Sequence, residues 1–305
     1  MVEEGLSMAI LKKCGAAVAA GALAFALTAC TGSSSKSGTV QSYDFDSISA
    51  DESIAAMVPE KYRDTLKVAS DIPYSPAEFF DDDKQPAGYE IDVLKAMAKV
   101  MGIKNVEVSD EEFDAIIPKL NDGTYDVSFS SMTLNKGRMQ ELNMVSYIQA
   151  GLIYGTQKGN PKNFDPISPC GFKVATQSDT TQADYIAAVS ASCQEMGKKP
   201  VTIVSDSNQD TLMPKVIDGS IDAIIGESPI LAYAENSNEK FEVVGEAFEV
   251  APQGPVTAKN NPELAKAMQA ALQKMMDTGL LTEVLAPWGE ESIALHYATL
   301  NPPIA

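Results

Sequence analysis

The chain has 305 residues, 45% apolar and 21% charged, which is enough for two globular domains with cores of their own and unlike a disordered or fibrous chain. A formal net charge of −19 repels phosphate backbones and anionic lipid, so nucleic acid is not an expected partner and any membrane attachment must come from something other than surface charge. The single histidine and four scattered cysteines offer no zinc spacing, and neither a metal nor a cofactor is expected.

At the N-terminus, Lys12-Lys13 precede CGAAVAAGALAFALTAC, an apolar run of about fifteen residues. It is short for a bilayer span and suits the core of an export leader, with Met1 or Met8 as the start. LTAC (Leu27 to Cys30) resembles the lipobox of bacterial lipoproteins, which implies an acylated Cys30; the alternative is a plain secretory leader. TGSSSKSG then reads as a flexible tether. Export places Cys170 and Cys193 in an oxidising compartment, where an even pair favours a disulfide over two buried thiols.

Beyond the tether, KVAS (Lys67 to Ser70) reads as a strand, and YEIDVLKAMAKVMG as a helix with Ile91, Leu94, Met97, Ala98 and Met101 at helical spacing and Gly102 at its end. VEV (Val106 to Val108) is a second strand. FDAIIPKLNDGTYDVSFSS (113–131) follows as a helix, with Asp114 as candidate cap and Pro118 near the first turn, and then a strand. The plan recurs. KVAT (Lys173 to Thr176) is followed by the helical TQADYIAAVSASCQEMG, the strand VTIV (Val201 to Val204) and QDTLMPKVIDGSIDAIIGE (209–227), with Asp210 and Pro214 in the corresponding places. The two 19-residue stretches align without gaps, with Asp, Pro, Lys, Asp, Gly and Asp in common. LIYGTQKGNP and FEVAPQGPVTAKNNP read as linkers crossing between the halves, and Pro262 opens a last long helix behind Asn261.

The expected fold is therefore α/β: two lobes, each with a parallel-rich sheet flanked by helices, and a ligand beyond the carboxyl ends of the strands. The expected organisation is a leader over 1–29, lipidated Cys30 and tether over 30–60, a first lobe from 61–155 plus 252–305, and a second from 156–251. Two strand tips, Ser130-Ser131 and Gly226-Glu227, would face one another across a cleft. SSMTLNKGR brings Ser131, Met132, Thr133 and Arg138, the last suited to a carboxylate. QSDTTQ brings Gln177, Thr180 and Thr181 to a helix start that favours an anion. Glu227 can pair an ammonium, and Tyr74, Phe79, Phe80 and Phe113 can wall a carbon skeleton, with Phe113 equally suited to a core.

LKVASDIPYSPAEFF, GYEIDVLKAMAK, the two repeated units, VATQSDTTQADY and NPELAKAMQAALQKMMDTGLLTEVLAPWG together resemble the family 3 (polar amino-acid) solute-binding proteins of ABC importers, over about Leu66 to Gly289. The resemblance implies a Venus-flytrap fold of the type II periplasmic-binding-protein class. It also implies an amino-acid ligand held by Tyr74, Phe113, Ser131, Thr133, Arg138, Thr180, Thr181 and Glu227. The partner it implies is a membrane permease with separate ATPase subunits, since the chain has no P-loop. The protein is expected to be a monomer on the outer face of the cytoplasmic membrane or in the periplasm. Two positions depart from the pattern: Glu227 stands where the family usually has Asp, and Asp179 where it usually has Gly. Two other outputs fit the same fold, a ligand-sensing adaptor and an enzyme similar to the cyclohexadienyl dehydratases. Against the enzyme, the sequence has no Ser/His/Asp or Cys/His arrangement.

Overall fold

The computed structural model describes residues 43–304; the leader, Cys30 and the TGSSSKSG tether lie outside the described residues. Helix α1 (Glu52–Met57) is capped by Asp51, whose carboxylate accepts the N–H groups of Ser53 and Ile54. Ile54, Val58 and Tyr62 are buried, and Asp51 pairs with Lys274 at 3.2 Å. Residues 51–60, expected to belong to a tether, are instead folded, because their apolar side chains find a core.

The first half then runs β1 (Thr65–Ser70), a ribbon of β2 (Phe79–Phe80) and β3 (Pro86–Ala87), α2 (Tyr89–Val100), β4 (Asn105–Asp110), α3 (Phe113–Asn121) and β5 (Val127–Ser128). A short helix α4 (Arg138–Glu141) leads into β6 (Leu142–Gln157). The second half repeats the order as β7 (Lys173–Gln177), α5 (Thr181–Glu195), β8 (Thr202–Asp206), α6 (Met213–Ile217), β9 (Ala223–Glu227) and α7 (Ser228–Ser237). The chain returns through β10 (Phe241–Gln253) and β11 (Val256–Ala258), and closes with α8 (Pro262–Thr278), α9 (Leu280–Leu285) and β12 (Ala294–Leu300). The strand order is β4-β1-β5-β11-β6-β9-β7-β8, with β10 and β12 also paired to β6. β1 is parallel to β4 and β5, and β7 to β8 and β9.

Alternation along the strands sets the layers. Leu66 and Val68 of β1 join one apolar cluster with α2, α8 and α9, while Ala69 joins another with Ile116 and Leu120 of α3. In the second half Val174 packs with Ile186 of α5, and Ala175 with Val216 of α6 and Leu231 of α7. Helices thus cover both faces, as expected for an α/β sheet.

Three of the six shared residues have matching duties in the two halves. Asp126 Oδ2 accepts the Lys67 N–H at 2.9 Å, and Asp222 Oδ2 accepts the Lys173 N–H at 2.8 Å, tying each unit to the neighbouring strand, β1 or β7. Asp122 and Asp218 accept the N–H two residues on, each at 2.8 Å, and Gly123 and Gly219 supply the left-handed turn at φ 82° and 79°. Asp114 and Asp210 are not caps. Glu112 holds the cap position of α3, and Asp210 sits in a 3-10 turn where Asn208 accepts its N–H. Pro118 lies inside α3 rather than in its first turn, while Pro214 does open α6.

The two expected linkers are largely strand. β6 continues to Gln157, and β10 pairs with it from Gln157↔Phe241 to Ile148↔Gln253. A loop there would leave backbone groups unpaired, whereas two adjacent antiparallel crossings satisfy one another. The first repeated unit has the opposite outcome: only Val127–Ser128 of YDVSFSS is strand, so the chain is free to turn at Ser131 (φ 46°).

Cys170 and Cys193 form a disulfide with a Cα–Cα distance of 5.7 Å, tying the start of the second half to α5. Closing a loop of this length constrains the unfolded chain by about 3 kcal/mol. The double variant Cys170→Ser/Cys193→Ser should lose stability of that order in urea unfolding, with native circular dichroism retained; an unchanged midpoint would contradict it.

Candidate functional site

The carboxyl ends of the parallel strands supply one cavity. It is lined by Asp71 and Tyr74 after β1, Glu78 from the loop beyond, Phe113 of α3, and Ser130, Ser131, Thr133 and Arg138 after β5. The second half contributes Gln177 at the end of β7, Thr180, Thr181 and Gln182 at the start of α5, and Glu227 at the end of β9. Nine of the eleven residues expected to bind a ligand therefore come together.

Phe79 and Met132 do not. Phe79 is in the β2–β3 ribbon and meets Trp288 edge-on at 6.0 Å. Met132 is buried with Leu134, Met144 and Val256 in the core beneath the site. Three lining residues escaped the sequence reading, Asp71, Glu78 and Gln182, while Ser130 was placed at a strand tip but not among the binding residues. Asp71 directly follows a parallel strand, a position that the strand-end rule singles out. Glu78 carries no such signal, standing alone among apolar residues.

Arg138 is held from three sides. Its Nη1 donates to the Thr133 carbonyl at 2.9 Å, its Nη2 to the Asp179 carbonyl at 3.1 Å, and its guanidinium lies 5.2 Å from the centre of the Phe113 ring. Asp179 is in the left-handed region at φ 59°, which aims its carbonyl at the guanidinium. A second bond across the halves runs from Gln177 Nε2 to Asp71 Oδ2 at 2.6 Å. Thr180 caps α5, accepting the Ala183 N–H at 3.2 Å. On the far wall Gln253 Nε2 donates to Glu227 Oε1 at 2.6 Å and to Thr133 Oγ1 at 3.3 Å.

In this arrangement the cavity has room for about 10 Å³, close to the roughly 10–15 Å³ that one water needs. A larger molecule can enter only if the halves part and the Arg138 and Gln177 bonds across them open. Among the described residues no group of His, Cys, Asp and Glu is arranged to hold a metal.

The profile of bacterial extracellular solute-binding proteins, family 3, matches residues 66–291. The chain belongs to that family. It is 35% identical over 252 residues to the arginine-binding protein ArgT of Corynebacterium glutamicum, covering 81% of this chain and 82% of the relative. Among solved structures it is similar to an ancestral arginine-binding protein bound to arginine, at 29% identity and TM-score 0.67, covering 74% of this chain and 99% of the other. It is also similar to the ancestral amino acid-binding protein AncCDT-1, a precursor of cyclohexadienyl dehydratase, at 28% identity and TM-score 0.67, covering 77% and 99%. The fold is accordingly that of the periplasmic binding proteins. No helix among the described residues is long and apolar enough to cross a membrane.

The cavity of this family 3 solute-binding protein is electrostatically lopsided. Three carboxylates, Asp71, Glu78 and Glu227, line it with one guanidinium. Burial pushes Glu227 up to about 8, aided by the nearby Glu90 and opposed by Gln253 and Arg138. Burial likewise raises Asp71 to about 7, against the Gln177 hydrogen bond. Arg138 is lowered by burial and supported by the negative charge of Glu227, Asp184 and Asp179.

An acid with a raised folded-state pKa keeps its proton where the unfolded chain has lost it. For Glu227 the window runs from 4.5 to about 8, and stability falls as pH rises through it. Thermal melts of the ligand-free protein should therefore drop from about pH 5 to about pH 8, and Glu227→Gln should flatten the slope. A melting temperature that is flat or rising over that range would contradict the burial of these acids.

Proposed function

We propose that this protein is the substrate-binding component of an ABC importer for a cationic amino acid of the arginine type, anchored outside the cytoplasmic membrane through lipid on Cys30. The observation that carries the ligand class is the charge imbalance of the cavity. An α-carboxylate meets Arg138, Ser131 and Thr133, with the start of α5 close by. An α-ammonium meets Glu227. That leaves Asp71 and Glu78 unmatched, and a buried carboxylate without a partner is unfavourable. A second positive charge at the end of the ligand side chain balances them, while Tyr74 and Phe113 flank its stem. The arginine named for the Corynebacterium relative, and the arginine bound to the ancestral protein, support the same class.

The reading treats the ligand as cargo. Contacts from both halves would draw them together, and the permease would recognise the closed form. Its ATPase would be a separate subunit.

A thermal-shift screen of the soluble domain against the common amino acids tests this directly. Arginine at about a hundredfold excess over its Kd should add about 2.7 kcal/mol of stability, far more than glutamate or leucine. Arg138→Ala should weaken arginine binding on the order of 10- to 100-fold by calorimetry, with an unchanged circular-dichroism spectrum. Undiminished affinity would remove Arg138 from the site, and a shift with neutral amino acids alone would remove the cationic class.

A further inference from the structure

Behind the cavity wall lies a second layer of acid. Glu78 and Glu90 are fully buried, on segments pressed together by backbone bonds from Tyr89 N–H to Pro76 O and from Glu90 N–H to Ala77 O. The contact is so close that a Cβ on Gly88 would sit 2.0 Å from the Ala77 carbonyl oxygen, at a φ of 126°. Glu78 faces the cavity and accepts from Ser130 Oγ at 3.1 Å; Glu90 lies behind it and accepts from the Tyr147 hydroxyl. One oxygen of each, Oε2 in both cases, has no hydrogen-bond partner within the protein. The ionisable groups around them are Asp71 after β1, Tyr74 and Tyr89 beside them, Tyr147 of β6 and Glu227 of β9. None of these is a cation, and Arg138 is engaged elsewhere by the Thr133 and Asp179 carbonyls.

We propose that Glu78 and Glu90 form a proton-holding pair that carries one proton when the cavity is empty and releases it to solvent when a side-chain cation binds, so that the protonation of this pair sets the preference between a cationic and a neutral side chain. Two adjacent carboxylates in a dry site do not both ionise without a counter-charge. With the cation in place both can be charged. With a neutral side chain in place the retained proton satisfies one of the free oxygens. Burial acts the same way on each, raising Glu90 to about 7 and Glu78 well above its usual range.

This rests on the cationic amino-acid reading above, and the test separates the two. The probes are L-arginine and its neutral isostere L-citrulline, titrated calorimetrically into the protein from about pH 6 to pH 8, in buffers of different ionisation enthalpy. Glu227 meets the α-ammonium of either ligand, so its proton cancels in the comparison. Arginine should release about one proton more than citrulline, and its affinity relative to citrulline should rise up to about tenfold per pH unit. Glu90→Gln, a residue outside the cavity lining, should abolish the difference in release while arginine still binds. Equal release by the two ligands overturns the pair, as does a difference that persists in Glu90→Gln, which would assign the proton to Asp71 or to Glu78 alone. Citrulline failing to bind at about pH 6 overturns it as well, since the protonated pair should then accept it. Failure of arginine to bind even at pH 8 removes the underlying reading and the pair with it. Should Glu90→Gln not fold, carbon-13 titration of the glutamate carboxyls in the wild-type protein, with and without arginine, decides the same point: two buried resonances that do not change on binding exclude the mechanism.

Discussion

A strand that passes from one half of a molecule to the other must have its backbone hydrogen bonds met along its whole length, and β6 meets this requirement for the entire sheet. Over 16 residues it pairs with β11 and β12 at its start, with β10 through its second part and with β9 near its end. The two parallel triplets, β4-β1-β5 and β8-β7-β9, are attached on either side of it. Their carboxyl ends thus converge on one place, and the cavity follows from that convergence. The glycines along the crossing show how tight the fit is: a Cβ on Gly155 would meet the Phe241 ring at 2.0 Å, and one on Gly254 the Val145 carbonyl at 1.8 Å.

The internal echo made much of this legible. Asp126 and Asp222 recur because each receives a backbone N–H of the neighbouring strand, and Gly123 and Gly219 because each turn needs a left-handed residue. Site residues at strand ends and helix starts, such as Arg138, Thr180 and Glu227, were legible for the same reason: their place in the βα order fixes where they point. Other features carried no such mark. Phe79 and Tyr74 are both aromatic residues in one loop, and only the β2–β3 ribbon decides that Phe79 turns toward Trp288. Met132 sits between two cavity residues but packs into the core beneath them, because the left-handed turn at Ser131 redirects the chain there. The crossings read as linkers because Gly and Pro are dense in them, although their pairing is settled by a partner nearly a hundred residues away. Nothing local in the sequence announces the burial of Glu78 and Glu90.

Those acids give the interior its character. In most cores a buried carboxylate finds a cation or a full set of donors. Here Glu78, Glu90 and Glu227 each keep an oxygen with no protein partner, all near one cavity, while the only guanidinium lining that cavity is already engaged. The departures at Glu227 and Asp179 fit into this setting. The longer acid reaches Gln253 on the wall, and Asp179 adopts the left-handed conformation that Gly would otherwise supply.

The double engagement of Arg138 bears on selectivity by exchange. Two backbone carbonyls, those of Thr133 and Asp179, already take one N–H from each of its terminal nitrogens, leaving three of its five donors. A guest therefore does not meet a bare cation; it must compete for the guanidinium with dipoles that the protein supplies to itself. A neutral oxygen would merely swap one dipole for another and gain little, whereas a full negative charge makes the stronger, charge-assisted bond. Amines that resemble a cationic amino acid but lack its carboxylate would leave this internal latch shut, however well their positive ends suited the acids below.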